Sequence, residues 1–156
     1  KNMAAMTMSD EAQIRDLVSR YADAVCRRDK EAWAANWAED CVWTLPGAGE
    51  TRGRDAVVAL WVAAMSRFPF VAQLVSNGLV SVNGHTAEGR WYLTEHAKFA
   101  DGGGNFSVGV YQDRYVHSAG RWLFAERHYT QLYNDEGKGD MSGKSIAFPP
   151  LRTHPK

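Results

Sequence analysis

The sequence predicts an α+β domain in which three N-terminal helices wrap one strongly curved antiparallel sheet into a cone. Three observations point there. Apolar residues recur at helical spacing over roughly the first 65 positions; from Phe70 onward they alternate with polar ones; and short turns join the alternating runs, as in a meander.

Ser9 is placed to cap a first helix, with Asp10 and Glu11 in its opening turn and Ile14, Leu17, Val18, Tyr21, Ala22 and Val25 as its apolar stripe. Asp29 caps a second, shorter helix carrying Trp33 and Trp37. The segment CVWTLPGAGE then reads as a short strand stopped by Pro46 and Gly47. Asp55 begins a third helix whose inward stripe is Val58, Trp61, Val62 and Met65. Four strands follow: VAQLVSNGLVSV, AEGRWYLTEHAKF, NFSVGVYQDRYV and RWLFAERHYTQLY. Turns at Asn83–Gly84, Asp101–Gly104 and Ser118–Gly120 separate them. The domain spans 9–135, with a disordered leader over 1–8 and an irregular tail over 136–156.

A chain of 156 residues suits one domain with a proper core. Lys plus Arg and Asp plus Glu both total 18 with no basic block, which argues against a nucleic-acid partner and for a small neutral or weakly charged ligand. No apolar run reaches the ~20 residues of a membrane helix, so no membrane partner is expected. Cys26 and Cys41 form neither a CxxC pair nor a zinc-spaced cluster, so no metal is expected and a reducing cytoplasm is the default.

The candidate site residues follow from strand alternation. In RWYLTEH, Trp91, Leu93 and Glu95 share one face and Arg90, Tyr92, Thr94 and His96 the other. Glu95 therefore travels with the more apolar side, where an unpaired carboxylate is costly unless it serves chemistry. From alternation alone it reads equally as a pocket acid–base group or as an exposed residue at a strand end. His96 reads as a surface histidine but titrates near neutrality and stays a candidate. Gly109, Tyr111, Asp113 and Tyr115 share a side, as do Arg127, Tyr129, Gln131 and Tyr133, so that Asp113 and Arg127 form an inward ion pair. His128 falls with Glu126, Trp122 and Phe124, as a pocket base or a core histidine. Gln73 and Asn77 can orient a ligand without exchanging protons. Trp43 and Trp91 are candidate wall residues, and Cys26 a small buried hydrophobe rather than a nucleophile.

Taken together, IRDLVSRYADAVCRRDKEAWAANWAEDCVWTL, TAEGRWYLTEHAKFADG, GVYQDRYV and GRWLFAERHYTQLY resemble the SnoaL-like branch of the nuclear transport factor 2-like superfamily, over about Ser9 to Tyr133. Bile acid 7α-dehydratases are nearest in pattern; scytalone dehydratase and hexachlorocyclohexane dehydrochlorinase are more distant. The resemblance implies an apolar cone, cofactor-free elimination, and association as a homodimer or homotrimer through the convex sheet face. It puts the family's helix-one tyrosine on Tyr21 and an acid of its dehydratases on Glu95, which favours the cavity for Glu95. The family's histidine and its aspartate partner fall on Gln73 and Cys26 here. Two function classes stand: a lyase or isomerase moving a proton on a polycyclic alcohol or ketone through Glu95, with Tyr21, His96 or His128 assisting, or a non-catalytic binder of a hydrophobic small molecule.

Overall fold

Residues 7–138, 147, 149 and 150 are described by the computed structural model. The leader over 1–6 and the tail over 139–146, 148 and 151–156 lie outside them.

Helix α1 (Asp10–Arg27) starts where Ser9 accepts the Ala12 N–H at 3.2 Å, and the expected stripe from Ile14 to Val25 is buried. Asp29 caps α2 (Lys30–Ala34) in the same way, at 2.9 Å. After β1 (Trp37–Leu45) and β2 (Gly49–Arg52) comes α3 (Arg54–Met65). The stripe of α3 differs from expectation: Val57 and Trp61 are the fully inward pair, while Val62 is 42% exposed. Positions 57 and 61 are four apart and superpose on one face, whereas 62 lies about 100° further round. The strands β3 (Phe70–Asn83), β4 (Thr86–Lys98), β5 (Gly104–Ser118) and β6 (Arg121–Asn134) form the expected meander.

The sheet has six strands in the order β2-β1-β6-β5-β4-β3. Its one departure from antiparallel pairing is the β1–β6 ladder, which is parallel. Parallel neighbours need a long connection, and α3 with the whole meander supplies it.

The concave face is built from rows of residues in cross-strand register. Gln73, Glu95 and Ser107 make one row; Gly78, Trp91, Tyr111 and Tyr129 another; Gly89, Asp113 and Arg127 a third. The glycines make room for the bulky members of these rows. A Cβ built at Gly109 falls 2.1 Å from Tyr129 Cε2, and one at Gly78 falls 2.0 Å from Trp91 Cε3. Gly109→Ala is therefore expected to push the Tyr129 ring off its seat and to cost about 1–3 kcal/mol, the range for overpacking, in urea unfolding.

Three extra residues bend the sheet, and each resets the alternation. Between Val75 and Gly78, β3 carries an added residue, which leaves Asn77 exposed. Ala125 is extra in β6, so Trp122 and Phe124 face inward with Arg127, while Glu126 and His128 face out. Leu132 is extra too, which puts Tyr133 on the outer face opposite Val108 and not beside Arg127. Packed between helices and concave face is an aromatic cluster of Tyr21, Trp33, Trp37, Trp43, Trp61 and Phe124, in which Trp33 and Trp61 stack at 4.7 Å. Among the described residues no helix is long and apolar enough to cross a membrane.

Candidate active site

The helices and the wide end of the sheet enclose a cavity of about 780 Å³. Its apolar walls come from Val25, Trp43, Leu45, Trp61, Met65, Phe68 and Phe99; its polar groups are Tyr21, Gln73, Glu95, Asn105, Ser107, Tyr111, Tyr129 and Gln131. Arg67 and Asp101 stand exposed at the mouth. Such a volume, mostly apolar with a few converging polar groups, suits a drug-sized organic molecule.

Of the residues singled out from sequence, Tyr21, Trp43, Gln73, Glu95 and Tyr111 are brought together on this cavity. The others are not. His96 is exposed on the convex side, against Phe106. His128 points to that same side because the extra residue Ala125 shifts the phase of β6. Asn77 sits in the β3 bulge away from the cavity. Trp91 is buried toward the narrow end, where its indole donates to Tyr115 Oη at 2.8 Å. Asp113 and Arg127 form a layer beneath the cavity floor rather than its lining. Cys26, on the last turn of α1, is exposed and not the buried hydrophobe expected, and it touches the Gln73 backbone instead of the cavity: its Sγ lies 3.2 Å from the Gln73 nitrogen and 3.6 Å from its carbonyl oxygen. Sequence reading missed Phe68 and Phe99 at the mouth and left Tyr129 and Gln131 without a role. The spacing Trp61, Met65, Phe68 carries the α3 stripe one step beyond the helix and was the available signal.

Gln73, 6% exposed, is the centre of the polar cluster. Its Nε2 donates to Glu95 Oε2 at 3.0 Å and to Tyr111 Oη at 3.2 Å. Burial raises the Glu95 carboxyl above the usual carboxylate range, and the Gln73 amide offsets part of that by favouring the ionised form. Burial likewise raises the phenols: Tyr21 against the pull of the Arg127 charge, Tyr111 well above its ordinary value, and Tyr129 to about 12 with the Glu95 charge adding to the effect. All three therefore remain hydrogen-bond donors through the neutral range.

Beneath them Arg127 is clamped to Asp113 by two bonds, Nε to Oδ1 at 2.9 Å and Nη2 to Oδ2 at 3.0 Å, with both side chains wholly buried. The Tyr115 hydroxyl donates to Asp113 Oδ2 at 2.7 Å. Burial pulls the Arg127 pKa down, but the Asp113 charge and the nearby phenols outweigh it and keep the guanidinium protonated. That cation lies 3.7 Å from the Tyr111 ring centroid and 4.3 Å from that of Tyr21, a fixed positive charge under the phenol pair. Among the described residues no group of three or more His, Cys, Asp or Glu is placed to hold a metal ion.

A carboxyl whose folded pKa is raised stabilises the fold most while it is protonated, at pH below its unfolded value near 4.3, and loses that contribution as pH rises through the folded value. Glu95→Gln should therefore gain stability relative to the native protein between about pH 4 and about pH 8. Urea unfolding at the two pH values checks this; a relative loss would mean that Glu95 is held as a stabilised anion.

A profile of the SnoaL-like domain family matches residues 6–128. The chain belongs to the SnoaL-like domain family. Solved structures share the fold of this SnoaL-like chain. One is the hexachlorocyclohexane dehydrochlorinase LinA-type3 from Novosphingobium barchaimii, at TM-score 0.76 and 22% identity over 90% of this chain and 94% of that one. A Novosphingobium aromaticivorans protein named for scytalone dehydratase matches at TM-score 0.76 and 19% identity, over 88% and 93%. A Mycobacterium tuberculosis protein of unknown function matches at TM-score 0.69 and 28% identity, over 82% and 78%. Comparison with curated protein sequences returns no match.

Proposed function

We propose that this SnoaL-like chain is a cofactor-independent lyase or isomerase acting on a hydrophobic polycyclic alcohol or ketone. One observation carries the reading: Glu95, a largely buried carboxyl with a raised pKa, sits on the cavity wall among phenols, and no histidine among the described residues lines that cavity. The names of the structural relatives, a dehydrochlorinase and a dehydratase, both denote elimination chemistry and support the same class.

In this scheme the Glu95 carboxylate takes a proton from the carbon beside a carbonyl. The C–H electron pair moves into an enolate, whose oxygen accepts hydrogen bonds from the phenol pair above Arg127. Protonated Glu95 then returns the proton. Given to a β-hydroxyl as the C–O bond breaks, it releases water and leaves a conjugated enone; given to another carbon, it completes an isomerisation. A single carboxyl doing both steps works on one face of the ligand. The rings of Trp43, Trp61, Phe68 and Phe99 suit a flat, fused-ring body.

The resemblance, which sets Gln73 and Cys26 where the family carries its histidine and aspartate, supports a second reading, a non-catalytic binder. Incubating the purified protein with a panel of polycyclic β-hydroxy ketones and following enone absorbance separates them. Enone formation supports the enzyme; saturable binding with no change in absorbance supports the binder and refutes the proton chemistry.

A further inference from the structure

We propose that Tyr129 is a further catalytic residue, donating through Oη to the β-hydroxyl that leaves, so that the cavity floor is fitted to a β-hydroxy ketone. The inference rests on the reading of Glu95 as the proton carrier, and it favours elimination over isomerisation.

Strand order places the pieces. Glu95 is on β4, with β3 on one side of it and β5 then β6 on the other. Toward β3, the Tyr111 hydroxyl meets the Gln73 amide at 3.2 Å, and the Tyr111 ring lies on the Arg127 guanidinium. Away from β3, the Tyr129 hydroxyl stays over Gly109 of β5: a Cβ built at Gly109 would fall 2.5 Å from Tyr129 Oη. Ser107, in register with Glu95, and Gln131, in register with Gly109, stand beside that hydroxyl and line the same cavity. Glu95 is near enough for its charge to act on both phenols. One carboxyl is thus flanked by two hydroxyl donors, each held by its own amide neighbour.

A β-hydroxy ketone carries three groups in the matching order: the carbonyl oxygen, the C–H beside it and the hydroxyl. With the carbonyl oxygen at Tyr111 and Tyr21 and the C–H at Glu95, the hydroxyl falls to Tyr129. Glu95 takes the proton and the C–H pair enters the enolate. The enolate then re-forms its carbonyl, the electron pair makes the C=C bond and the C–O bond breaks. The departing oxygen takes the Glu95 proton and leaves as water. Tyr129 keeps its own proton throughout and stabilises the charge that builds on the departing oxygen. Hydroxide leaves poorly, so a donor at this step acts where the barrier is highest. Because Glu95 and Tyr129 rise from one face of the sheet, proton and hydroxyl leave the same face of the ligand.

Tyr129→Phe keeps the ring on its Gly109 seat and 5.2 Å from the Tyr111 ring, and removes only the donor. Two naphthalenes serve as probes, one bearing a β-hydroxypropionyl chain and the other a propionyl chain. Enone formation from the first should fall about 100-fold in Tyr129→Phe, the usual loss for one such donor, while deuterium exchange beside the carbonyl of the second changes by less than about threefold. Undiminished enone formation would overturn the proposal, and so would equal falls in both rates, which mark a purely structural role. Binding decides independently of turnover. In Glu95→Gln, which cannot carry the proton, the hydroxy ketone should bind about fivefold more tightly than its deoxy partner, one hydrogen bond's worth, and Tyr129→Phe added to it should erase that preference. Equal affinities, or no binding of either ketone, would overturn the proposal whatever the double variant does. A native protein that forms no enone while Glu95→Gln shows this preference would keep Tyr129 as the hydroxyl's binding group and lose the enzymatic reading with its catalytic role.

Discussion

Glu95→Gln is expected to lower kcat on a true substrate by about 100- to 10,000-fold, the usual contribution of a positioned general acid–base group, with KM changed by less than about threefold. The substitution keeps the volume and planarity of the side chain and removes only the ability to exchange a proton. Its neighbours make it a clean test. Tyr21, Tyr111 and Tyr129 are all raised by burial and hold their protons through the neutral range, so none of them can take over as base. The histidines the sequence offered as substitutes, His96 and His128, lie on the convex side of the sheet. If the native protein turns over such a substrate, the rate should rise with pH through the Glu95 titration, because the carboxylate is the reactive form, and that limb should lie above the ordinary carboxylate value. Stopped assays over a pH series measure both.

The second large effect concerns the layer under the cavity. Asp113→Ala should destabilise the fold by about 3–5 kcal/mol, because it strands the wholly buried Arg127 guanidinium without its counter-charge. Replacing both partners, Asp113→Leu with Arg127→Met, should cost less than the single change, since the desolvation penalty of each ion disappears with it. The double variant should nevertheless lose activity if the phenol pair relies on the cation beneath it, only 3.7 Å from the Tyr111 ring. Urea unfolding of the two variants reports the first effect, and turnover of the double variant reports the second.

Strand alternation carried much of this arrangement. Asp113 and Arg127 sit at matching register on neighbouring strands, with Gly89 opposite, so counting by twos from Gly109 and from Gln131 was enough to pair them. Glu95 was half legible in the same way: Trp91, Leu93 and Glu95 keep one parity along an unbroken stretch of β4, but alternation left open whether its carboxyl lay in the pocket or at an exposed strand end, and only the family resemblance favoured the cavity. The reading failed where a strand holds one residue more than its partner. Ala125 turned Glu126 and His128 outward, Leu132 did the same to Tyr133, and the β3 bulge took Asn77 off the concave face. A period-two count has no means of registering an inserted residue. Nor does local sequence reveal that Cys26 and Gln73, 47 positions apart, meet through the backbone of an edge strand. The parallel β1–β6 ladder was equally invisible, because pairing of distant strands is decided by how the helices pack and not by the strands' own residues.

Everything proposed for the site depends on Glu95 carrying a proton to and from a ligand carbon in the cavity. The most direct measurement is hydrogen exchange at that carbon: a polycyclic ketone is incubated with the protein in heavy water and deuterium uptake beside the carbonyl is followed by mass spectrometry. Uptake with the native protein and none above the buffer rate with Glu95→Gln is the predicted result. Undiminished uptake in the variant would show that the proton travels by another route.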